Sequence, residues 1–368
     1  VWVAEEGAAL DAARALLTDA AAGAGPVEVL PRPADGLRLS VATAALVGDP
    51  PPDLIWGDDE ALAGLLADGL LQPAGPPPPD TLPALVTAAT AGGEAWGAPV
   101  AAEGALLLLY NRALAAAPPA TSDELIVAAR GAATPEVAGL VMAWKEAHWV
   151  LPWLYAFGGA PTDPAGATVT LDTPATAAAL NLVRALHGAA EDDTTGYRQG
   201  QRLFAQGNAA FSIDGDWALP ALEAVSDTLD LGLAPLPAVP ATGRPAVAPL
   251  GGTFLMLHRD LKGQELERAR ALAAWVAGPE AQARVAGALG RLPASREALA
   301  GAGSSSPALA AAAAGAATAP GLAPTPAVRC AVFALDVWLP GVIDGTLEPE
   351  EAATRMQREA ENCLAQGG

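Results

Sequence analysis

Basic side chains are scarce in this chain: 20 Lys and Arg stand against 41 Asp and Glu, a formal net charge of −21 at pH 7 over 368 residues. Nucleic acids and anionic lipid surfaces require a basic face, so both partner classes are excluded. Although 52% of the residues are hydrophobic, no unbroken apolar run approaches the roughly 18 residues of a membrane span. A soluble globular chain is therefore expected. The three histidines, His148, His187 and His258, lie in unlike contexts and do not form a metal set. No Ser nucleophile elbow, Walker loop or dinucleotide GxGxxG follows a strand pattern, so neither metal nor cofactor is expected. The chain opens on VWVAEEG, which reads as a first strand and not as a leader. Either a cytosolic chain or one whose leader has been removed fits that opening.

Cysteine is almost absent, yet the two present are informative. Cys330 and Cys363 flank DGTLEPEE (Asp344–Glu351), a loop with a helix start, and lie nearly equidistant from its centre. If Ala331–Ile343 and Pro349–Leu364 are antiparallel helices, the sulfurs meet. The disulfide expected there is worth on the order of 3 kcal/mol in the chain-entropy model. It favours an exported location, since cytosolic disulfides are rare. Two buried free thiols are the alternative.

Phe and Tyr are also few, at five and three, against nine Trp. Several of those Trp stand at the ends of apolar strands beside acids. Arg202–Leu219, RLFAQGNAAFSIDGDWAL, joins an amphipathic helix to a buried strand that stops at Asp214-Gly215-Asp216-Trp217. Pro51–Glu60, PPDLIWGDDE, runs through Trp56 into Asp58, Asp59 and Glu60, and Gly139–Trp149, GLVMAWKEAHW, ends in Trp144, Glu146, His148 and Trp149. In open α/β sheets ligands bind beyond the carboxyl ends of strands. An indole covers the C–H face of a sugar ring, and ionised carboxylates accept strongly from its hydroxyls. Core packing is the competing account for each ring, evenly matched with ligand contact for Trp56 and Trp144 and the weaker account for Trp149 and Trp217.

Length predicts two or three domains. Strands are expected at Val1–Ala4, Val27–Leu30 and Leu54–Trp56, alternating with helices at Ala8–Ala22, Leu39–Val47 and Glu60–Asp68. That alternation indicates a parallel sheet, with Gly48–Pro52 breaking the second helix. Gly104–Tyr110 reads as a buried strand followed by a helix start at Asn111–Leu114. Pro235–Pro249 is a Pro-rich connection suited to a hinge. The Ala-rich stretch Ser304–Ala317 is expected to be helical.

An ordered set of landmarks carries a resemblance over nearly the whole chain: GDPPPDLIW (Gly48–Trp56), AAEGALLLLYNR (Ala101–Arg112), KEAHWVLPWLYAFGG (Lys145–Gly159), RLFAQGNAAFSIDGDWAL, Gly251-Gly252 and GPEAQARVAGALGRLPA (Gly278–Ala294). In these the chain resembles the extracellular solute-binding proteins of ABC transporters, in the branch that binds maltose and maltodextrins. The resemblance implies an α/β fold of two discontinuous lobes, 1–103 with 250–301 and 104–249 with 302–368. The chain would cross near Ala102–Leu106, Ala246–Gly251 and Ala300–Pro307. It further implies a monomer, exported to the periplasm or lipid-anchored at the cell surface, that closes on a sugar between its lobes and delivers it to permease subunits.

Carried over by position, Glu146 matches a pocket acid and Trp217 a stacking Trp, while His148 and Trp149 stand where the family has Tyr and Phe. Glu103 resembles a pocket Glu, seven residues before Tyr110 instead of six. Asp58, Asp59 and Glu60 match a sugar-gripping loop whose adjacent Arg is here Ala61, and Glu6, next to Glu5, takes a first-strand acid's place. The family's carboxyl-terminal aromatic platform falls on Val332 and Phe333, with Arg329 one turn earlier. The missing Trp points to a ligand smaller than a long maltodextrin, and Arg38 is a candidate replacement cation. Trp56 and Asp216 complete the expected ligand-binding set. A cationic solute such as an amino-sugar or polyamine is the rival ligand, distinguished by its sensitivity to salt. A glycoside-acting enzyme would need two carboxyls about 5–10 Å apart across the bond, and nothing in the sequence marks such a pair.

Overall fold

Leu54, Ile55, Trp56 and Gly57 are all buried, and no charged side chain interrupts them before Asp58. Such an unbroken apolar run suits a strand covered on both faces. In the computed structural model, which describes residues 1–368 except 23–24, 48–49, 191–195, 226–228, 305 and 368, Leu54–Asp58 is that strand. It pairs in parallel with Trp2–Val3, which pairs in parallel with Leu30–Pro31. On its other side Gly251–His258 runs antiparallel to it and to Gly97–Glu103, and Leu292–Pro293 completes the path. Leu71–Gln72 pairs off Gly251–His258. The sheet is thus mixed, where strand and helix alternation indicated a parallel one. The antiparallel member returns after a long excursion, so no crossover helix is needed.

Trp56, Val100, Leu255 and Leu257 on the sheet pack against Leu16 and Leu17 of Gly7–Ala20, Leu272 and Val276 of Gly263–Val276, and Val285 of Pro279–Leu289. Burying each of these side chains stabilises the fold by about 1.5–3 kcal/mol. The expected strand Val27–Leu30 shortens to Leu30–Pro31, because its partner Trp2–Val3 offers only two residues to pair with. Val27 and Val29 pack against the core instead. Gly48 and Asp49, in the expected helix break, lie outside the described residues.

The chain divides into two units, Val1–Glu103 with Leu250–Thr325 and Gly104–Pro249 with Pro326–Gly368. The third crossing therefore falls at Thr325/Pro326 and not within Ala300–Pro307, and residues 302–325 belong with the first unit. The Ala-rich helix runs Pro307–Ala316, opened by Ser306, whose side chain accepts from the Leu309 N–H. Ser304 precedes it in a turn, and residue 305 lies outside the described set. Its buried face of Ala308, Leu309, Ala312 and Ala316 packs on Arg296–Ala302 and Leu292–Pro293. Beyond it the Leu250 N–H donates to Pro320 O at 2.9 Å. Gly321 passes so close to Ala84 that a Cβ would lie 2.1 Å from the Ala84 carbonyl oxygen.

The second unit holds a sheet in the order Leu231–Ala234, Leu106–Asn111, Ala209–Gly215, Ala138–Val141. Its buried strand Leu106–Asn111 is not followed by a helix. The Asn111 side chain accepts from the Ala113 N–H at 3.0 Å, and residues 112–114 form a turn, the local bond by which Asn competes with helix formation. Pro235–Pro249 contains a small hairpin of Ala238–Val239 with Arg244–Pro245. Helices Pro326–Ile343 and Pro349–Ala365 are joined by the Cys330–Cys363 disulfide, with Cα atoms 5.6 Å apart. By length and a mean hydropathy of 1.5, Pro326–Ile343 could cross a membrane, which the run-length reading did not anticipate. Half of it is buried inside the protein, and it carries Arg329 and Asp336.

Candidate ligand-binding site

In the second unit the buried strand Ala209–Gly215 ends and a short 3-10 turn, Asp216–Ala218, turns Trp217 outward, 46% exposed. Gly215 allows this, since a Cβ there would lie 2.2 Å from the indole. The Trp217 Nε1–H donates to the Tyr197 hydroxyl at 2.5 Å. That hydroxyl donates to Asp214 Oδ1 at 2.8 Å, and the Gln201 amide donates both to it, at 2.6 Å, and to Asp214 Oδ2, at 3.0 Å. Burial pushes the Asp214 carboxyl above its ordinary range, against the bonds it accepts from Gln201, Tyr197 and the Gly215 N–H. Burial first and the Asp214 charge second raise the Tyr197 phenol, so the hydroxyl stays protonated.

Trp149 lies under this surface. It is 4% exposed, its Nε1–H donates to Ile213 O at 2.8 Å, and its ring meets the edges of Trp217 at 5.9 Å and His148 at 5.6 Å. It supports the exposed ring and offers a ligand almost nothing of its own, a correction to the expected contact residue. His148 Nε2 lies 3.1 Å from Gly104 O, and its ring is tilted against Trp217 at 5.8 Å. Burial lowers its pKa, favouring neutral imidazole. Gly104, at φ +96°, also donates its N–H to Asp216 Oδ1 at 3.3 Å, so this acid is engaged in holding the strand ends together.

Glu146 is exposed at the N-cap position of Ala147–Ala156, yet its side chain makes no capping bond. Asp336 caps that helix instead, accepting from the Ala147 N–H at 2.6 Å. Desolvation first and the Asp336 charge second raise the Glu146 carboxyl. Phe333, on Pro326–Ile343, is 50% exposed, and Arg329 stands one turn before it, partly exposed. Trp144 is core, 3% exposed and edge-on to His187 at 5.0 Å.

The first unit concentrates acids around one guanidinium. Glu5, 7% exposed, receives Arg291 Nη1 at 2.5 Å and Nη2 at 3.0 Å, with the Trp56 Nε1–H at 3.1 Å. Trp56 itself is fully buried, which removes it from the ligand-contact set: it sits on a central strand and faces the core. Glu103 lies 3.3 Å from Arg291 Nη1 and accepts from the Thr253 hydroxyl. Burial raises its carboxyl, opposed by Arg291. Asp58 caps helix Asp59–Ala67, accepting from the Ala61 N–H at 2.8 Å, and Glu60 is exposed in its first turn. Burial first, then the Asp58 charge, lifts Asp59 to about 7. Gly251 makes room for this carboxyl, since a Cβ there would come within 2.5 Å of it. Glu6 is exposed at the start of Gly7–Ala20 and makes no capping bond. Arg38 is no spare cation: it forms a two-point pair with Asp68, both contacts 2.8 Å. Among the described residues, no group of three or more His, Cys, Asp or Glu is arranged to hold a metal ion.

Sequence reasoning missed Tyr197, Gln201 and Arg291. Tyr197 and Gln201 are four apart on helix Tyr197–Ala205 and so share a face, a spacing that could have paired them with the following Asp214. No local signal marks Arg291.

A family profile described as bacterial extracellular solute-binding protein matches residues 11–315. No curated protein matches the chain by sequence. Solved structures share its fold. The cyclic alpha-maltosyl-1,6-maltose binding protein of Arthrobacter globiformis is 21% identical, covers 100% of this chain and 98% of its own, and has a TM-score of 0.86. The maltotriose-bound maltose/maltodextrin-binding domain MalE of Bdellovibrio bacteriovorus is 23% identical over 99% and 98%, with a TM-score of 0.79. A solute-binding protein of Thermotoga lettingae bound with alpha-D-tagatose is 22% identical over 99% and 98%, with a TM-score of 0.76.

Proposed function

The chain belongs to the bacterial extracellular solute-binding proteins, a family of receptors and not of enzymes, and from that premise we propose that it binds a small carbohydrate and delivers it to an ABC permease. The observation that carries this reading is Trp217: a half-exposed indole on a braced aromatic bed, with its N–H already used inside the protein. Its ring face is what it has to offer, and that matches the C–H face of a pyranose. Glu146 in the second unit and Glu60 in the first supply exposed acceptors for hydroxyls, and in the first unit Asp59 lies within electrostatic reach of Glu60 and Glu103.

Neighbours of this fold carry ligands from tagatose to maltotetraose. We place this protein's ligand at the short end of that range, because Val332 and Phe333 stand where a maltodextrin receptor carries a Trp-bearing platform. The solute reaches the receptor outside the cytoplasm, where a periplasmic or lipid-anchored protein would be held. Binding shifts a hinge equilibrium toward a closed form, and the permease reads that form.

A polyamine or other cation is disfavoured by how the acids are used. Arg291 is shared between Glu5 and Glu103, which offsets part of their charge, and burial lifts Asp59 to about 7. A thermal-shift and calorimetric screen against mono-, di- and trisaccharides, polyols and amines tests the proposal, since a ligand at 100 times its Kd adds about 2.7 kcal/mol. A sugar response indifferent to salt supports it; an amine response lost at high salt, with no response to sugars, overturns it.

A further inference from the structure

We propose that Tyr197 and Asp214 act as a positioning relay for Trp217, locking the indole in the orientation that a sugar face meets. This rests on Trp217 being the stacking platform. The Tyr197 hydroxyl oxygen is saturated: it accepts from the Trp217 Nε1–H at 2.5 Å and from Gln201 at 2.6 Å, and donates to Asp214 at 2.8 Å. Asp214 is itself fixed, 2% exposed, with further bonds from Gln201 and the Gly215 N–H. It belongs to the buried strand Ala209–Gly215, whose register against Leu106–Asn111 sets Asp214 opposite Leu107. The orientation of an exposed ring is thereby tied, through one hydroxyl, to the buried carboxyl end of an inner strand of the sheet.

An exposed indole with no such tie samples several rotamers and loses that freedom when a ligand stacks on it. The relay removes this cost in advance, and the Tyr197 ring is itself seated against the buried Trp149, their centroids 5.2 Å apart. Gly215 is the matching relief, since any side chain there would collide with the held ring. A phenol at residue 197 is needed because Phe fills the same space but cannot accept the indole N–H.

Two measurements test the relay. The first is ligand-free: the Trp217 indole N–H resonance, identified by its loss in Trp217→Phe, should exchange slowly with solvent in the native protein and rapidly in Tyr197→Phe. Equal exchange in both overturns the relay. The second is a double-mutant cycle read by calorimetry with the saccharide that binds the native protein. Tyr197→Phe should weaken binding about fivefold in the native background and leave it unchanged in a Trp217→Ala background. The same loss in both backgrounds would mean that Tyr197 acts on the ligand directly or on the fold at large. If Tyr197→Phe does not fold, Asp214→Ala, which takes away the acceptor that anchors the Tyr197 hydroxyl, enters both measurements with the same expectations. Failure of every saccharide to bind rejects the carbohydrate reading, and the exchange measurement still decides the relay.

Discussion

Arg291 grips Glu5 with both terminal nitrogens, at 2.5 and 3.0 Å, across 286 residues of sequence. The carboxylate is buried, and the guanidinium that reaches it also serves Glu103 at 3.3 Å. Removing the cation would leave two acids facing each other with desolvation uncompensated. Arg291→Gln is therefore expected to destabilise the protein by about 3 kcal/mol, read as a lowered urea midpoint at unchanged m-value. Arg38→Ala, at an exposed pair, should cost under about 1 kcal/mol.

Asp59 gives a pH dependence of opposite sign to that of a salt-bridged acid. Its folded pKa, near 7, lies above the ordinary value of 3.8. The native state then binds more protons than the unfolded chain between those values, and stability falls as pH rises from about 4 to 7. The contribution is at most about 4 kcal/mol, less whatever partial exposure screens. Asp59→Asn should raise Tm at pH 8 and change it little at pH 4, as thermal melts at the two pH values will show.

Trp56 and Trp217 should respond in opposite ways. Trp56 is fully buried, so Trp56→Ala is expected to cost about 3–5 kcal/mol of stability. Trp217→Ala should leave Tm nearly unchanged and weaken sugar binding about tenfold, of the size expected for a lost aromatic contact with its buried area. Calorimetry and denaturation on the two variants separate the effects.

The Cys330–Cys363 bond closes a loop across 33 residues. Cys330→Ser with Cys363→Ser should lower stability by about 3–4 kcal/mol in the chain-entropy model. Reducing agent should shift the native melt toward that of the double variant and leave the variant's melt unmoved.

Much was legible before any coordinates. Leu54–Trp56 and Leu106–Tyr110 announce themselves as uninterrupted apolar runs, because a strand covered on both faces has no use for alternation. The symmetric placing of Cys330 and Cys363 about a loop pointed to their pairing once two helices were expected, and the disulfide is present. The Asp-Gly-Asp-Trp ending of Ala209–Gly215 marked the place where a ring leaves the core.

Less legible was what each marked residue does there. Trp56, Trp149 and Trp217 sit in similar local sequences of apolar residues and acids, yet one is core, one a brace and one exposed. Exposure is set by what arrives from elsewhere in the chain: Leu255 and the helix Gly263–Val276 pack with Trp56, while Trp217 is left 46% exposed. The same holds for charge. Local composition determined that acids gather near Asp58 and Glu103, but Arg291, nearly two hundred residues beyond Glu103, decides which of them stay paired. Strand, helix and loop chemistry act over a few residues and can be read from order alone; burial and ion pairing act through space, and only the folded chain brings those partners together.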